Sequence, residues 1–407
     1  MKNIFKNIGP GPLVTAAFIG PGTVTVCTLA GVKFGYSLLW AMLLSIVATM
    51  VLQEMAARLG VISQKGLSEI IRKELKHPFF RRLSIFLILS AIVVGNAAYE
   101  AGNISGGSLG LDILLGSPTF EFSSLKIKVM PFIIGGLAFC LLYLGNYKVL
   151  ERFLVGLVIL MSLSFLITAL LTKPNFMAVL KGVFIPEVPE KSIMFIIGLI
   201  GTTVVPYNLF LHASLAKSKW KKPSDLSFAR KDTVIAIILG GLVSMCIIIS
   251  ASAIQSHNIT NASDLAKGLE PLFGEYAKYF LSVGLFAAGI TSAITAPLAA
   301  AFVTSGCLGW TSHLKSLKFR MVWIFILILG VVFSSTGFKS IEIIKFAQVT
   351  NGLLLPIIAV FLLWVMNKSS ILGTYINSKF QNGLGLAIIL IALGLGIRGS
   401  LSAFNLI

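Results

Sequence analysis

Two stretches of this chain bring together residue types that can hold an ion in an apolar setting. The first is Ile19-Gly20-Pro21-Gly22-Thr23, and the second is Gly201-Thr202-Thr203-Val204-Val205-Pro206-Tyr207-Asn208. Each puts a proline near the middle of an apolar run. Proline removes one backbone donor and clashes with the preceding turn, so a helix is interrupted there and carbonyls and amides are freed. Free backbone groups at membrane depth are tolerated only around a protein-lined cavity. A helix restarting at Pro21 presents the amides of Gly22, Thr23 and Val24 together with about half a positive charge. The hydroxyls of Thr23, Thr202, Thr203 and Tyr207 add groups that donate to an oxyanion or accept from its O–H. This set suits a small, singly charged oxyanion better than a bare metal ion.

Other candidates flank these breaks. Glu100 lies between Tyr99 and Ala101 in an apolar run, and an acid inside a membrane is functional by default, so Glu100 is the candidate for coupling. His212 is either a proton relay or a packed histidine. The threonines singly would serve equally well as interhelical hydrogen-bonding glue. Glu54 stands four residues before Arg58 and reads as a structural pair. Gly102, Gly106, Gly107 and Gly110 read as close-packing positions, because a phosphate loop would follow a strand.

The elements that must position these groups are spanning helices. Of 407 residues, 56% are hydrophobic and only 12% charged, with a mean hydropathy of +0.93. A soluble protein carries about twice that charge, so a water-soluble enzyme is excluded. Runs of roughly 20 apolar residues, each able to cross a bilayer, number eleven: 11–32, 37–60, 83–111, 128–147, 151–172, 191–216, 233–254, 278–303, 320–337, 342–366 and 383–405. The first run continues through Gly-Pro-Gly and lacks a small-residue cleavage site, so it reads as a retained helix. Lys and Arg fall about two to one on the side of the amino terminus, which predicts that end in the cytoplasm and the carboxyl terminus outside. The basic run Lys217 to Lys222 belongs to this bias, and no nucleic-acid partner is expected. The broken segments, one and six, each lead a set of five. Five is odd, so the second set must run inverted, as in transporters whose site lies between two broken helices.

Further stretches carry a specific resemblance. They are Gly9-Pro10-Gly11-Pro12, Leu38-Leu39-Trp40, Gln53-Glu54-Met55-Ala56-Ala57-Arg58-Leu59-Gly60, Asn208-Leu209-Phe210-Leu211-His212, Ala347-Gln348-Val349 and Leu355-Pro356. Over nearly its whole length the chain resembles the Nramp family of secondary metal transporters. The resemblance implies an all-α integral membrane protein with a LeuT-type (APC superfamily) fold: eleven transmembrane helices, two inverted five-helix repeats, and broken helices one and six. It departs at the metal site. Members that carry transition metals have Asp-Pro-Gly-Asn in helix one and Ala-x-x-Met-Pro-His in helix six. Here Gly20-Pro21-Gly22-Thr23 and Thr202-Thr203-Val204-Val205-Pro206-Tyr207 stand instead. The family's helix-three acidic pair, used in proton movement, corresponds to Glu100 and Asn103, and its helix-ten glutamine to Gln348.

A divalent ion at the midplane needs anionic or several strong oxygen ligands, and a soft metal gains selectivity from sulfur or imidazole. Gly20, Thr23, Thr202 and Val205 supply none of these. The expectation is therefore a single transmembrane domain over 1–407, with repeats at 11–172 and 191–366 and a last helix at 383–405, forming a secondary transporter in a plasma membrane of the bacterial inner-membrane type. Its substrate is expected to be a small anion such as bicarbonate, coupled to a sodium or proton gradient. The expected substrate site comprises Gly20, Gly22, Thr23, Thr202, Thr203, Val205, Tyr207 and Gln348 around Pro21 and Pro206, with Glu100, Asn103 and His212 in coupling. The partners are the transported ion, the coupling ion and the bilayer; no cofactor or resident metal is expected. The alternatives are a magnesium or manganese transporter of relaxed selectivity, and a transport-inactive sensor. No triad or Walker-type loop supports an enzyme.

Overall fold

The computed structural model describes residues 19–122, 125–145, 148–254, 259, 261–311 and 313–403. The main helices are α1 (Pro21–Phe34), α2 (Leu39–Ser63), α3 (Leu67–Glu74), α4 (Pro78–Leu115), α5 (Met130–Leu144), α6 (Lys148–Leu171), α7 (Phe176–Phe184), α8 (Ile193–Thr203), α9 (Pro206–Lys219), α10 (Leu226–Ser252), α11 (Ala277–Leu308), α12 (Leu317–Ser335), α13 (Ser340–Met366) and α14 (Lys379–Ala403). Among the described residues nine helical spans are long and apolar enough to cross a membrane, counting α8 and α9 as one span; α5 is a shorter apolar helix. Segment one is described only from Ile19, so 11–18 lie outside the described residues.

The connection after segment three differs from the expected one. The apolar runs end segment three at 111 and begin segment four at 128, whereas α4 runs to Leu115 and a two-stranded antiparallel hairpin follows. In that hairpin β1 (Thr119–Phe122) pairs with β2 (Leu125–Lys128), with Phe120 opposite Ile127 and Glu121 opposite Lys126. A search for spanning-length apolar runs passes over four-residue strands. The alternation in Phe120-Glu121-Phe122 and Leu125-Lys126-Ile127-Lys128 was the signal that it missed.

Both proline breaks form as the residue types dictate. Pro21 is the first residue of α1 and Pro206 of α9, the helical position where a missing N–H costs nothing and a fixed φ is already suitable. Gly20 and Val205, each preceding its proline, are extended, as the proline ring requires. In segment six the interruption is two residues long, Val204 and Val205, between α8 and α9.

Small residues hold the bundle together. Along α4, four glycines meet four different neighbours: Gly102 the side chain of Ala347, Gly106 the ring of Pro21, Gly107 the side chain of Ile134, and Gly110 the carbonyl of Ser282. A Cβ would collide at Gly102, Gly106 and Gly110, and would press on Ile134 at Gly107. Since lipid chains are as apolar as leucine, close van der Waals approach is what associates helices here. The Gly106 contact sets α4 directly against the break in segment one. The outer surface of the bundle is apolar, with Phe86, Leu170, Leu239 and Phe325 exposed.

Candidate functional site

The two breaks meet. Thr23, in the first turn of α1, and Thr202, in the last turn of α8, are fully buried, and their hydroxyl oxygens are 2.8 Å apart in a hydrogen bond. Gln348 of α13 closes the third side. Its side-chain amide lies where a Cβ on Gly22 would be, and its backbone carbonyl where a Cβ on Gly201 would be. Glycine at both positions therefore lets α13 seat itself between α1 and α8. The Gln348 Oε1 atom is buried and makes no hydrogen bond, an arrangement that leaves acceptor capacity unspent in low dielectric. Gly20, Pro21 and Val205 contribute backbone geometry here, and Val205 supplies no polar side-chain atom.

Tyr207 lies one residue after Pro206, and its ring packs edge-on against Tyr99 of α4, with centroids 5.5 Å apart. On the next residue of α4, the buried Glu100 accepts a long hydrogen bond of 3.5 Å from Asn103 Nδ2, while its other oxygen has no partner. Gly330 of α12 allows Glu100 to lie flat against that helix, since a Cβ there would strike the Glu100 side chain. The i,i+3 spacing of Glu100 and Asn103 thus does bring the two side chains together, one helix away from the Thr23–Thr202 pair.

Two candidates turn elsewhere. The Thr203 hydroxyl bonds Ser45 of α2 and the carbonyls of Leu199 and Ile200, one turn back on its own helix, so it faces α2 and away from Thr23. His212 of α9 is fully buried, with Nδ1 2.7 Å from Gln53 Oε1 and Nε2 3.4 Å from the Thr233 hydroxyl. Both ring nitrogens are engaged by helices α2 and α10.

Sequence reasoning omitted Asn208 and Asn351 from the site. Both amide atoms of Asn208, two residues after Pro206, are buried without a partner, as is Asn351 Nδ2 on α13, one turn beyond Gln348. Buried amides next to a proline break, or one turn from a site glutamine, were the available signal. Among the described residues no group of three or more His, Cys, Asp or Glu side chains forms a metal cage. The site is thus a set of neutral donors and acceptors, with one acid set apart from it.

Comparison with known proteins fits this architecture. The profile of the family described as Natural resistance-associated macrophage protein-like (Nramp) matches residues 11–402. A metal transporter nramp1 homolog of Dictyostelium discoideum is 28% identical over 98% of this chain and 76% of its own length. The divalent metal cation transporter MntH of Bacillus subtilis is 26% identical over 96% and 91%. Among solved structures, the manganese transporter of Eremococcus coleocola, in complex with an aromatic bis-isothiourea substituted compound, superposes with a TM-score of 0.77 at 22% identity, covering 98% of this chain and 86% of that one. Mhp1, a nucleobase-cation-symport-1 family transporter, superposes at 0.56 with 12% identity over 96% and 93%. The fold is accordingly the LeuT-type all-α membrane fold, and the chain belongs to the Nramp family of transporters.

Proposed function

We propose that this chain carries a small oxyanion, with bicarbonate the named candidate, by alternating access around Pro21 and Pro206. One observation carries the reading: the groups that converge at the paired breaks are two threonine hydroxyls, a glutamine amide and the starts of two helices, with no carboxylate, thioether or imidazole among them. Each helix start contributes about half a positive charge, which favours negative charge, although the Val24 amide expected to face the ion donates to the Gly20 carbonyl instead. The C-terminal end of α8 adds carbonyls of opposite sign beside Thr202. A bicarbonate ion uses both, presenting its charged oxygens to the amides and hydroxyls and its single O–H to an acceptor such as Gln348 Oε1. A dehydrated divalent cation would meet only neutral oxygens, and burying two charges so poorly compensated costs many kcal/mol.

In this reading residues 11–172 and 191–366 are the two inverted repeats, 383–405 is an added helix, and the amino terminus is cytoplasmic. Rocking one set of helices against the other exposes the Thr23–Thr202 junction to each side in turn. Glu100, one helix away and half-satisfied by Asn103, takes the coupling proton or cation. The relatives named above are described as metal transporters, which makes a divalent cation the rival substrate.

The deciding experiment is uptake into proteoliposomes of labelled bicarbonate, manganese and magnesium, side by side, with and without sodium and proton gradients. Gradient-dependent bicarbonate accumulation supports the anion reading. Saturable manganese or magnesium uptake without bicarbonate uptake sinks it, and a sensor would carry none of the three.

A further inference from the structure

On the side of the bundle where α4 ends and α11 begins, two pockets share one side chain. The first, about 330 Å³, lies between α6 and the start of α11 and is almost wholly apolar, lined by Leu157, Leu160, Phe273, Phe280 and Val283. Its size is at the low end of ligand pockets. Phe273 and Phe280 stack with centroids 4.2 Å apart to make one wall. The second, about 360 Å³, is polar, lined by Asp112 and Ser117 from the end of α4 and its following turn, Asn261, Ser263 and Lys278. Tyr279 lines both pockets, and the Lys278 ammonium lies over its ring, 5.1 Å from the centroid.

The surroundings indicate what such a pair of pockets faces. Leu160, Val283, Tyr276 and Tyr279 are all exposed on spanning helices or at their ends. Tyrosines at a helix end next to exposed aliphatic residues mark the level where the headgroup region of a bilayer meets its hydrocarbon. The two charged lining groups of the polar pocket, Asp112 and Lys278, are opposite in sign. Lys128, the other cation near Asp112, is held by the Phe338 carbonyl and the Ser340 hydroxyl and does not line the pocket.

We infer that this paired pocket binds one phospholipid of the bilayer, with an acyl chain in the apolar pocket and a zwitterionic aminophospholipid headgroup in the polar one. The phosphate lies at Lys278 beside the Tyr279 ring, and the primary ammonium faces Asp112. A chain that leaves lipid for the apolar slot gains packing and little hydrophobic free energy, because its old and new surroundings are equally apolar. Discrimination among lipids therefore comes from the headgroup charges. An anionic headgroup such as phosphatidylglycerol meets Lys278 equally well but brings no ammonium to Asp112.

The test is native mass spectrometry of the full-length protein extracted from vesicles of equal parts phosphatidylethanolamine and phosphatidylglycerol. The wild type is expected to retain phosphatidylethanolamine several-fold over phosphatidylglycerol. Val283→Trp, which fills the slot, and Lys278→Glu, which repels the phosphate, are each expected to cut total retained lipid several-fold. Asp112→Asn is expected to keep the lipid and lose the preference. If Val283→Trp does not fold, Leu160→Trp fills the same slot from α6. Equal retention of the two lipids by the wild type overturns the inference, as does wild-type retention in both a slot-filling variant and Lys278→Glu at unchanged melting temperature.

Discussion

At the end of the bundle where α2 finishes, Arg58 is 2% exposed and its guanidinium donates to Glu54 at 3.0 Å, to Asn377 Oδ1 at 2.7 Å and to the Tyr375 carbonyl at 2.9 Å. Glu54 in turn accepts from Arg230 of α10 at 2.8 Å. At the breaks in segments one and six, equally buried, no charged side chain among the described residues takes part: two threonine hydroxyls share a bond, and Gln348 and Asn208 keep polar atoms unpaired. Both regions place polar groups where water is scarce, yet the first pairs its charges on several sides and leaves only the Arg58 Nε without a partner, while the second leaves both amide atoms of Asn208 and the Gln348 Oε1 unspent. Pairing of charge fixes geometry, because breaking a buried pair strands a charge. Unspent hydrogen-bonding capacity is what a passing ion can use, since an unmade bond costs less once a ligand makes it. In the proposed reading the first arrangement belongs to a junction that holds its helices in register, and the second to the place where cargo would stop.

The largest effect expected from breaking this contrast is at Arg58. Arg58→Ala leaves Glu54 with only the half-exposed Arg230 and strands the Asn377 and Tyr375 acceptors, so a loss of about 3–5 kcal/mol is expected, as for one partner of a buried ion pair. Thermal unfolding in detergent measures it. Arg58→Lys should recover little, because one ammonium cannot reproduce a fork that reaches the Glu54, Asn377 and Tyr375 oxygens at once. A near wild-type melting temperature for Arg58→Ala would mean that the network is ornamental.

Next in size is Thr23→Asp. In the folded variant this change puts a carboxylate on the amides proposed to receive the anion. Two unit charges about 4 Å apart at an effective dielectric of about 20 repel by about 4 kcal/mol. Even a third of that is about tenfold in affinity, so bicarbonate uptake is expected to fall at least tenfold. Unchanged uptake in a well-folded variant would move the anion site elsewhere. Isothermal calorimetry with manganese sharpens the result: micromolar affinity in the wild type, lost on changing Thr23, would favour the cation reading.

Glu100→Gln comes third, for it leaves the Thr23–Thr202 junction intact. Gradient-driven accumulation should disappear, while equilibrative exchange and substrate binding persist. If Glu100 is instead a structural acid against Gly330, the melting temperature falls and gradient dependence survives. Uptake with and without an imposed gradient, measured alongside thermal unfolding, separates the two.

What could be read from the sequence was local in spacing. Prolines at 21 and 206 announced both breaks, and i,i+4 spacing announced the Glu54–Arg58 contact, because one turn of helix fixes which side chains are neighbours. Contacts between helices were not legible. That Arg230 reaches Glu54, that Gln53 meets His212 and that Ser45 meets Thr203 depend on how each helix is rotated about its axis. In a helix apolar on all sides that rotation has no signature, since no amphipathic face marks which side is inward.

The adjacent threonines at 202 and 203 carry the smallest and sharpest form of the comparison, since they share a helix turn, a residue type and full burial. Thr202 spends its hydroxyl on Thr23 across the break, whereas Thr203 spends its own on Ser45 and on carbonyls of its own helix. Valine has nearly the shape of threonine without the hydroxyl, so each substitution removes hydrogen bonds and little else. Interhelical hydrogen bonds in membranes average about 0.6 kcal/mol, and Thr203→Val should cost about that much stability while uptake stays near wild type. Its lost bond tethers α8 to α2, and the Ser45 hydroxyl can turn back to a carbonyl of its own helix. Thr202→Val should cost no more in stability, yet reduce uptake several-fold, because it removes a donor from the proposed substrate shell and ends the bond that joins the two breaks. Equal uptake by the two variants would break the distinction between glue and site at this turn. A larger transport defect in Thr203→Val would reverse it and place the substrate on the α2 side of α8.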